Sequence, residues 1–317
     1  MMAFKIIIAL LAVYLAIIPA SGLNYRCPSK DLDPCLCEEA YGKVYLRCTS
    51  LKNRQQLFNA FRVMSGYDIT ELQIENSNLT HISHDLFRNS TVARLRIKNS
   101  MMFYLFDRDL QYSADSITEI TLENIEFEGG LDWSVLENLE KLQILIVNGS
   151  DIEQIYYDAS ELKIPLESLF LSNNGIKFIY EYAFHNLKDL KILKLDNNLL
   201  SKLNRSMLPQ PTSGVQFLDF SYNRLTSLPS DMFEGITELH TLILRGNVFN
   251  VLEKTYMEKV FPTLFYFDVE NNPLKCSCEL SWILSEKRPY HVFGRCTHKK
   301  EEYKKLKELS KEDFIEC

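Results

Sequence analysis

Between Ile69 and Leu274 the chain repeats itself. The pattern L-x-x-L-x-L-x-x-N-x-L, with other apolar residues allowed at the leucine positions, starts at Ile69, Val92, Ile117, Leu142, Leu166, Leu190, Val215, Leu239 and Leu264. Successive starts lie 23, 25, 25, 24, 24, 25, 24 and 25 residues apart. A register held this closely means that each unit is one supersecondary element stacked on the next. In a strand alternate side chains face opposite ways, so Leu169 and Leu171 point inward while Ser168, Phe170 and Ser172 point out. Further along the same unit, Ile176, Ile179, Phe184 and Leu187 supply inward residues for the convex side. One unit cannot bury its own apolar face. Strands stacked about 4.8 Å apart make a continuous core, and the two ends of such a stack need caps.

The ninth position of each unit is where the chain turns off its strand and leaves backbone groups unpaired. The five later units place Asn174, Asn198, Asn223, Asn247 and Asn272 there. An amide both donates and accepts, so it bridges one coil to the next. The first four units have Ser77, Ser100, Ile125 and Ser150 instead. Serine makes part of that network and Ile125 none, which predicts a less regular and softer N-terminal half.

Cysteines stand only at the two ends. Cys27, Cys35, Cys37 and Cys48 precede the repeats, Cys276, Cys278, Cys296 and Cys317 follow them, and the 227 residues between hold none. The first residues read as an export signal: Lys5, an apolar run from Ile6 to Ile18, then Ala20, Ser21 and Gly22, which places cleavage near Gly22. In an exported chain, even clusters read as disulfides, and each group of four allows three connectivities. The C-x-C neighbours rarely bond to each other because so small a ring is strained, which leaves cross-paired schemes. A zinc site using His291 and His298 with Cys296 is the alternative; export and the lack of paired C-x-x-C knuckles weigh against it.

Together the repeats, the N-terminal CPSKDLDPCLC with Cys48, and NPLKCSCELSW with Cys296 and Cys317 resemble an extracellular leucine-rich-repeat domain flanked by cysteine-rich caps. The resemblance implies an α/β solenoid, a horseshoe of about nine repeats with a parallel concave sheet and disulfide caps at both ends. It implies the pairs Cys27 with Cys37, Cys35 with Cys48, Cys276 with Cys296, and Cys278 with Cys317. It divides the chain into a signal peptide (1–22), an N-terminal cap and connecting segment (23–68), repeats (69–273) and a C-terminal cap (274–317). The compact DLDPCLC start and the serine-containing early repeats are also similar to a group of small secreted arthropod proteins that includes the non-catalytic subunit of a shrimp luciferase. That likeness implies a binding protein or stabilising companion subunit.

On the concave side, positions three, five and seven of successive repeats face outward in rows. Over the first repeats, Glu71, Arg94 and Glu119 alternate in sign, as do Glu75, Lys98 and Glu123, which predicts a self-satisfied charged ladder. From the fourth repeat the rows carry Ile144, Ile146, Phe170, Ile192, Phe217, Ile243 and Tyr266, bordered by Asp196, Asp219 and Asp268. A solvated sheet fills such positions with polar residues, so these seven are the candidate partner-binding residues. Asn78, Asn89, Asn148 and Asn204 begin N-x-S/T sequons, and a glycan on Asn148 would restrict access beside Ile144 and Ile146.

Nothing in the sequence supplies an active site: there is no H-E-x-x-H, no G-x-S-x-G and no phosphate loop. His81 and His84, with Asp85 adjacent, fit turn and surface roles better than a metal. The expectation is a secreted, non-enzymatic protein without cofactor or metal, binding an extracellular protein through the concave face. The alternative is a self-associating structural or matrix component, a homodimer through that face; a glycan or lipid binder is weaker for want of a pocket signal. A formal charge of −7, or −8 once Lys5 is removed, argues against a nucleic-acid surface. Beyond the signal no run approaches a membrane span, and the end of the chain, Lys299 to Lys311, is charged rather than an apolar anchor tail. There Tyr303, Leu306 and Leu309 recur at helical spacing, which predicts a helix packed by one face on the cap.

Overall fold

The computed structural model describes residues 26–317 apart from 111, 113–114, 211–213, 285–286, 299–301 and 316–317. The expected signal peptide, 1–22, lies outside the described residues.

Each repeat lays down one strand, and the strands pair in chain order. A hairpin opens the sheet, β1 (Cys35–Ala40) running antiparallel to β2 (Lys43–Thr49). Parallel strands follow: β3 (Asp68–Glu75), β4 (Thr91–Met102), β5 (Glu119–Phe127), β6 (Ile144–Asn148), β7 (Ser168–Phe170), β8 (Ile192–Lys194), β9 (Phe217–Asp219), β10 (Thr241–Ile243), β11 (Tyr266–Asp268) and β12 (His291–Phe293). Register is kept by repeat position, so Ile144, Ser168, Ile192, Phe217, Thr241 and Tyr266 stand in one row. Period-two alternation does what the sequence implies: Leu169, Leu193 and Leu242 are fully buried between half-exposed neighbours, and Leu218 is fully buried beside half-exposed Phe217. The convex side carries short 3-10 turns and one longer helix, α1 (Arg54–Val63), capped by Asn53, whose side chain accepts from Gln56 N–H at 3.3 Å. Ile176, Ile179, Phe184 and Leu187 fill the interior from that side.

The ninth-position asparagines form the ladder expected of them. Asn198 Oδ1 accepts from the N–H groups of Asn174 (3.1 Å) and Ile176 (3.0 Å), and its Nδ2 donates to the carbonyls of Leu171 (2.7 Å) and Leu195 (3.0 Å). Asn223 and Asn247 repeat this, donating to Leu195 and Phe220 and accepting from Leu200 N–H and Leu225 N–H. The serines do half as much: Ser77 Oγ accepts from Leu51 N–H at 3.0 Å and donates to Glu75 O at 2.8 Å.

The N-terminal half is nevertheless not the less regular one. Its strands β3, β4 and β5 have 8, 12 and 9 residues, whereas β7 to β12 have 3 each. Where asparagine is missing, the parallel pairing itself runs on: Ser100 pairs with Ile125 and Met102 with Phe127, so the sheet satisfies the backbone that a side chain satisfies elsewhere.

A second ladder sits one residue earlier. The eighth residues, Asn76, Asn99, Asn124, Gly149, Asn173, Asn197, Tyr222, Gly246 and Asn271, all have φ between 47° and 66°. The chain turns off the strand through a left-handed residue, which asparagine and glycine adopt most readily. At Gly246 the need is twofold, because a Cβ there would also lie 2.5 Å from the ring of Tyr222 in the preceding coil.

Disulfides close both ends: Cys27–Cys37, Cys35–Cys48 and Cys276–Cys296. Cys278 is disulfide-bonded as well, and Cys317 lies outside the described residues. With Cys296 tied to Cys276, the zinc alternative loses its thiolates. The caps also lend strands: β2 continues the sheet before the first repeat and β12 continues it beyond the last.

The expected C-terminal helix is absent from the described residues. Tyr303–Lys305 is a strand antiparallel to Arg295–Thr297, followed by 3-10 turns at Leu306–Glu308 and Lys311–Phe314. Pairing with the segment that Cys296 anchors overrides the helical pattern. Leu306 and Leu309, three apart, still face the cap, because a 3-10 turn aligns such residues; Tyr303 lies outside, with the Arg295 guanidinium 5.3 Å from its ring centre. Among the described residues no helix is long and apolar enough to cross a membrane.

Candidate binding surface

The outward rows of the sheet change character along its length. Over β3 to β5 the charges compensate one another, as their alternating signs predict. Arg94 Nε is 3.2 Å from Glu71, Arg96 lies between Glu71 (3.9 Å) and Glu119 (3.8 Å), and Lys98 Nζ is 2.7 Å from Glu123. Glu75 turns instead to Gln73, whose Nε2 donates to it at 2.5 Å. Side chains held this way stay partly solvated and contribute well under about 1 kcal/mol per pair.

From β6 onward the seven apolar candidates all stand half-exposed on the same face. Ile146 neighbours Phe170, Ile144 shares a row with Ile192, and Ile192 neighbours Phe217. Ile243 lies between Asp219 and Asp268, and Tyr266 lies beside His291. The area carries charge at its centre. Lys194 stands between Phe170 and Phe217 with its Nζ 5.7 Å and 5.3 Å from their ring centres, a cation resting on aromatic faces. Next to it Asp219 is only 7% exposed, with Oδ1 accepting from Ser221 N–H (2.9 Å) and Ser221 Oγ (2.5 Å). Burial raises the Asp219 carboxyl above its ordinary range against the pull of those bonds. Burial, and then the charge of Asp268, likewise push the Tyr266 phenol up. Arg245 Nε pairs with Asp268 at 2.9 Å, and Arg295 Nε is 3.8 Å from Glu270.

Sequence reasoning did not include the residues that β12 adds. Phe293 lies 5.3 Å from Tyr266, and Tyr290, 80% exposed, stacks on Phe265 at 5.5 Å, with His291 edge-on to both. The signal was present: Val292 alternates inward between His291 and Phe293, the same pattern as in the repeats, but it lies inside the cap, after Cys276 and Cys278, and lacks the asparagine turn.

The sequons fall in different settings. Asn78, Asn89 and Asn204 are exposed. Asn89 edges a flank cleft of about 760 Å³ shared with Tyr67, Arg88 and Tyr112. Asn148 is half-buried at the rim of the sheet, its Oδ1 accepting from Asn173 Nδ2 at 2.9 Å.

His81 and His84 converge on Asp107, which accepts from His84 N–H at 2.7 Å and lies 3.1 Å from His84 Nδ1 and 3.9 Å from His81 Nε2. Arg54 donates to His81 Nε2 at 2.9 Å, so that nitrogen is the unprotonated one, and burial lowers the ring's pKa. These bonds tie α1 and two coils together. Among the described residues no group of three or more His, Cys, Asp and Glu side chains is placed to hold a metal.

A family model for leucine-rich repeats matches residues 164–213. The chain is 27% identical over 157 residues to Toll-like receptor 9 of Mus musculus, covering 49% of this chain and 15% of the receptor. It is 23% identical over 291 residues to the Oplophorus-luciferin 2-monooxygenase non-catalytic subunit of Oplophorus gracilirostris, covering 81% and 79% of the two chains. To lumican of Bos taurus it is 26% identical over 240 residues, covering 76% and 59%. The chain thus spans under two thirds of the receptor and of lumican. Among solved structures it superposes with TM-score 0.64 and 20% identity on a chain of the TLR13–ssRNA13 complex, covering 72% of this chain and 32% of that one. With a chain of the octameric complex of Latrophilin 3, Unc5D and FLRT2 (LRR) the TM-score is 0.59 at 15% identity, covering 90% and 98%.

Proposed function

Taking the chain as a leucine-rich-repeat solenoid, we propose that it is a secreted, non-enzymatic binding module whose concave sheet from β6 to β12 receives a protein partner. The observation that carries this reading is the run of half-exposed Ile144, Ile146, Phe170, Ile192, Phe217, Ile243 and Tyr266 on one face of a continuous parallel sheet. Large side chains held by strand register lose little freedom on binding, and rings at the centre of a patch supply most of an interface's affinity. The leader, the disulfides and the sequons support export and glycosylation of the exposed asparagines. The relative named as a non-catalytic subunit supports a companion role.

The test is affinity capture from extracellular fluid with the purified protein, run beside the Phe170→Asp, Phe217→Asp double variant and a light-scattering mass determination. Both side chains are half-exposed, so the variant keeps its melting temperature. A partner retained by the native protein and lost by the variant is the expected result. A dimer that the variant breaks, with no partner, makes this face a self-association surface instead. Capture unaffected by the variant overturns the assignment of the concave face.

A further inference from the structure

The concave sheet supplies cations to most of its own acids, and Glu75 takes a bond from Gln73 instead. Glu123 is met by Lys98 at 2.7 Å and Asp268 by Arg245 at 2.9 Å. Asp219 and Asp196, within the apolar half, have no ion-pair partner among the described residues. Asp196 accepts only neutral bonds, from Ser172 Oγ at 2.6 Å and Asn197 Nδ2 at 2.9 Å. Asp219 Oδ1 accepts from Ser221 N–H and Oγ, and the second oxygen has no hydrogen-bond partner among the described residues. The neighbouring cation, Lys194, lies over the rings of Phe170 and Phe217 and beyond ion-pair distance of either acid. Asp219 therefore stands as a nearly buried carboxylate between Phe217, Ile243 and Lys194, with Asp196 close enough for their charges to repel. A carboxylate in that setting has given up most of its hydration without gaining a counter-ion, and an incoming cation restores the balance.

Resting on the concave reading above, we propose that Asp219, with Asp196 beside it, receives a lysine or arginine side chain of the protein partner. The partner's adjoining apolar residues lie on Phe217 and Tyr266, whose row passes directly beside the acid. Charge complementarity selects a basic segment over an acidic one. The long-range field agrees, since the whole chain carries −7.

The experiment selects a random-sequence peptide library on the intact protein and measures each enriched peptide against three variants. Asp219→Asn keeps the oxygen that accepts from Ser221, removes only the charge, and is expected to weaken binding by about tenfold or more. Lys194→Gln removes the competing cation and is expected to tighten it. Phe217→Asp reports the concave face itself and is expected to abolish it. The enriched peptides are expected to carry Lys or Arg beside an apolar residue. Peptides that depend on Phe217 but lack such a cation, or ignore Asp219→Asn, overturn the cationic partner and leave the concave reading standing. An absence of any Phe217-dependent peptide overturns both.

Discussion

Replacing Asn198 with alanine tests what holds the coils in register. The amide accepts from two buried N–H groups, Asn174 and Ile176, and donates to the carbonyls of Leu171, Leu195 and Asp196, so five backbone groups in two coils lose a partner together. Each orphaned buried group costs about 1–3 kcal/mol. The carbonyls keep a second lone pair, so the two donors dominate and the expected loss is about 3–5 kcal/mol. Ser77→Ala orphans one donor, Leu51 N–H, while Glu75 O keeps its bond from Ser50 N–H, for an expected loss of about 1–2 kcal/mol. Equilibrium urea unfolding followed by circular dichroism gives the global difference. Amide hydrogen exchange at Asn174 and Ile176 reads the effect where it arises, which matters in a repeat stack where coils open locally. The reasoning is refuted if Asn198→Ala costs under about 1 kcal/mol, or no more than Ser77→Ala, or if those two amides keep their protection.

Three further outcomes are expected. Restoring the pattern with Ile125→Asn destabilises by about 2–4 kcal/mol in urea unfolding, because Ile125 is fully packed and the backbone beside it is already paired to Ser100. For Asp219 the folded carboxyl is raised above its ordinary 3.8, so the native state holds the proton over a range in which the unfolded chain has released it. Stability therefore falls as pH rises through that window, and the advantage of Asp219→Asn over the parent in thermal melts grows from pH about 4 and then levels; a parent that gains on the variant as pH rises contradicts the assignment. Replacing Cys35 and Cys48 with serine frees the β1–β2 hairpin over the first coil and lowers stability by about 2–4 kcal/mol, measured as the urea midpoint of the double variant.

How much was legible in advance follows from the length over which each feature is determined. The strands, the inward leucines and the asparagine ladder depend on residues within one repeat and on an identical neighbour, so periodicity in the sequence is enough to place them. The outward rows follow from the same period, which is why the seven apolar candidates and the compensated charges could be named from residue order. The left-handed eighth position was visible as a column of asparagine and glycine, and Tyr222 obscured it.

What the chain order could not carry was decided where elements without the repeat's period meet the stack. Tyr303, Leu306 and Leu309 have helical spacing, yet an adjacent strand tethered by Cys276–Cys296 claims the first of them for a sheet. His291 and Phe293 join the concave face because β12 finds an open parallel edge at β11, a condition that the preceding coils set and that its own alternation does not reveal by itself. The balance of charge around Asp219 is likewise tertiary. Lys194 and Asp219 are register neighbours, but the cation settles on two aromatic faces that come from the strands on either side of it, and the carboxylate is left open. Sequence alone determines a solenoid and the rows it displays, because stacking repeats its own local rules; which charges on those rows cancel depends on the side-chain geometry that packing selects.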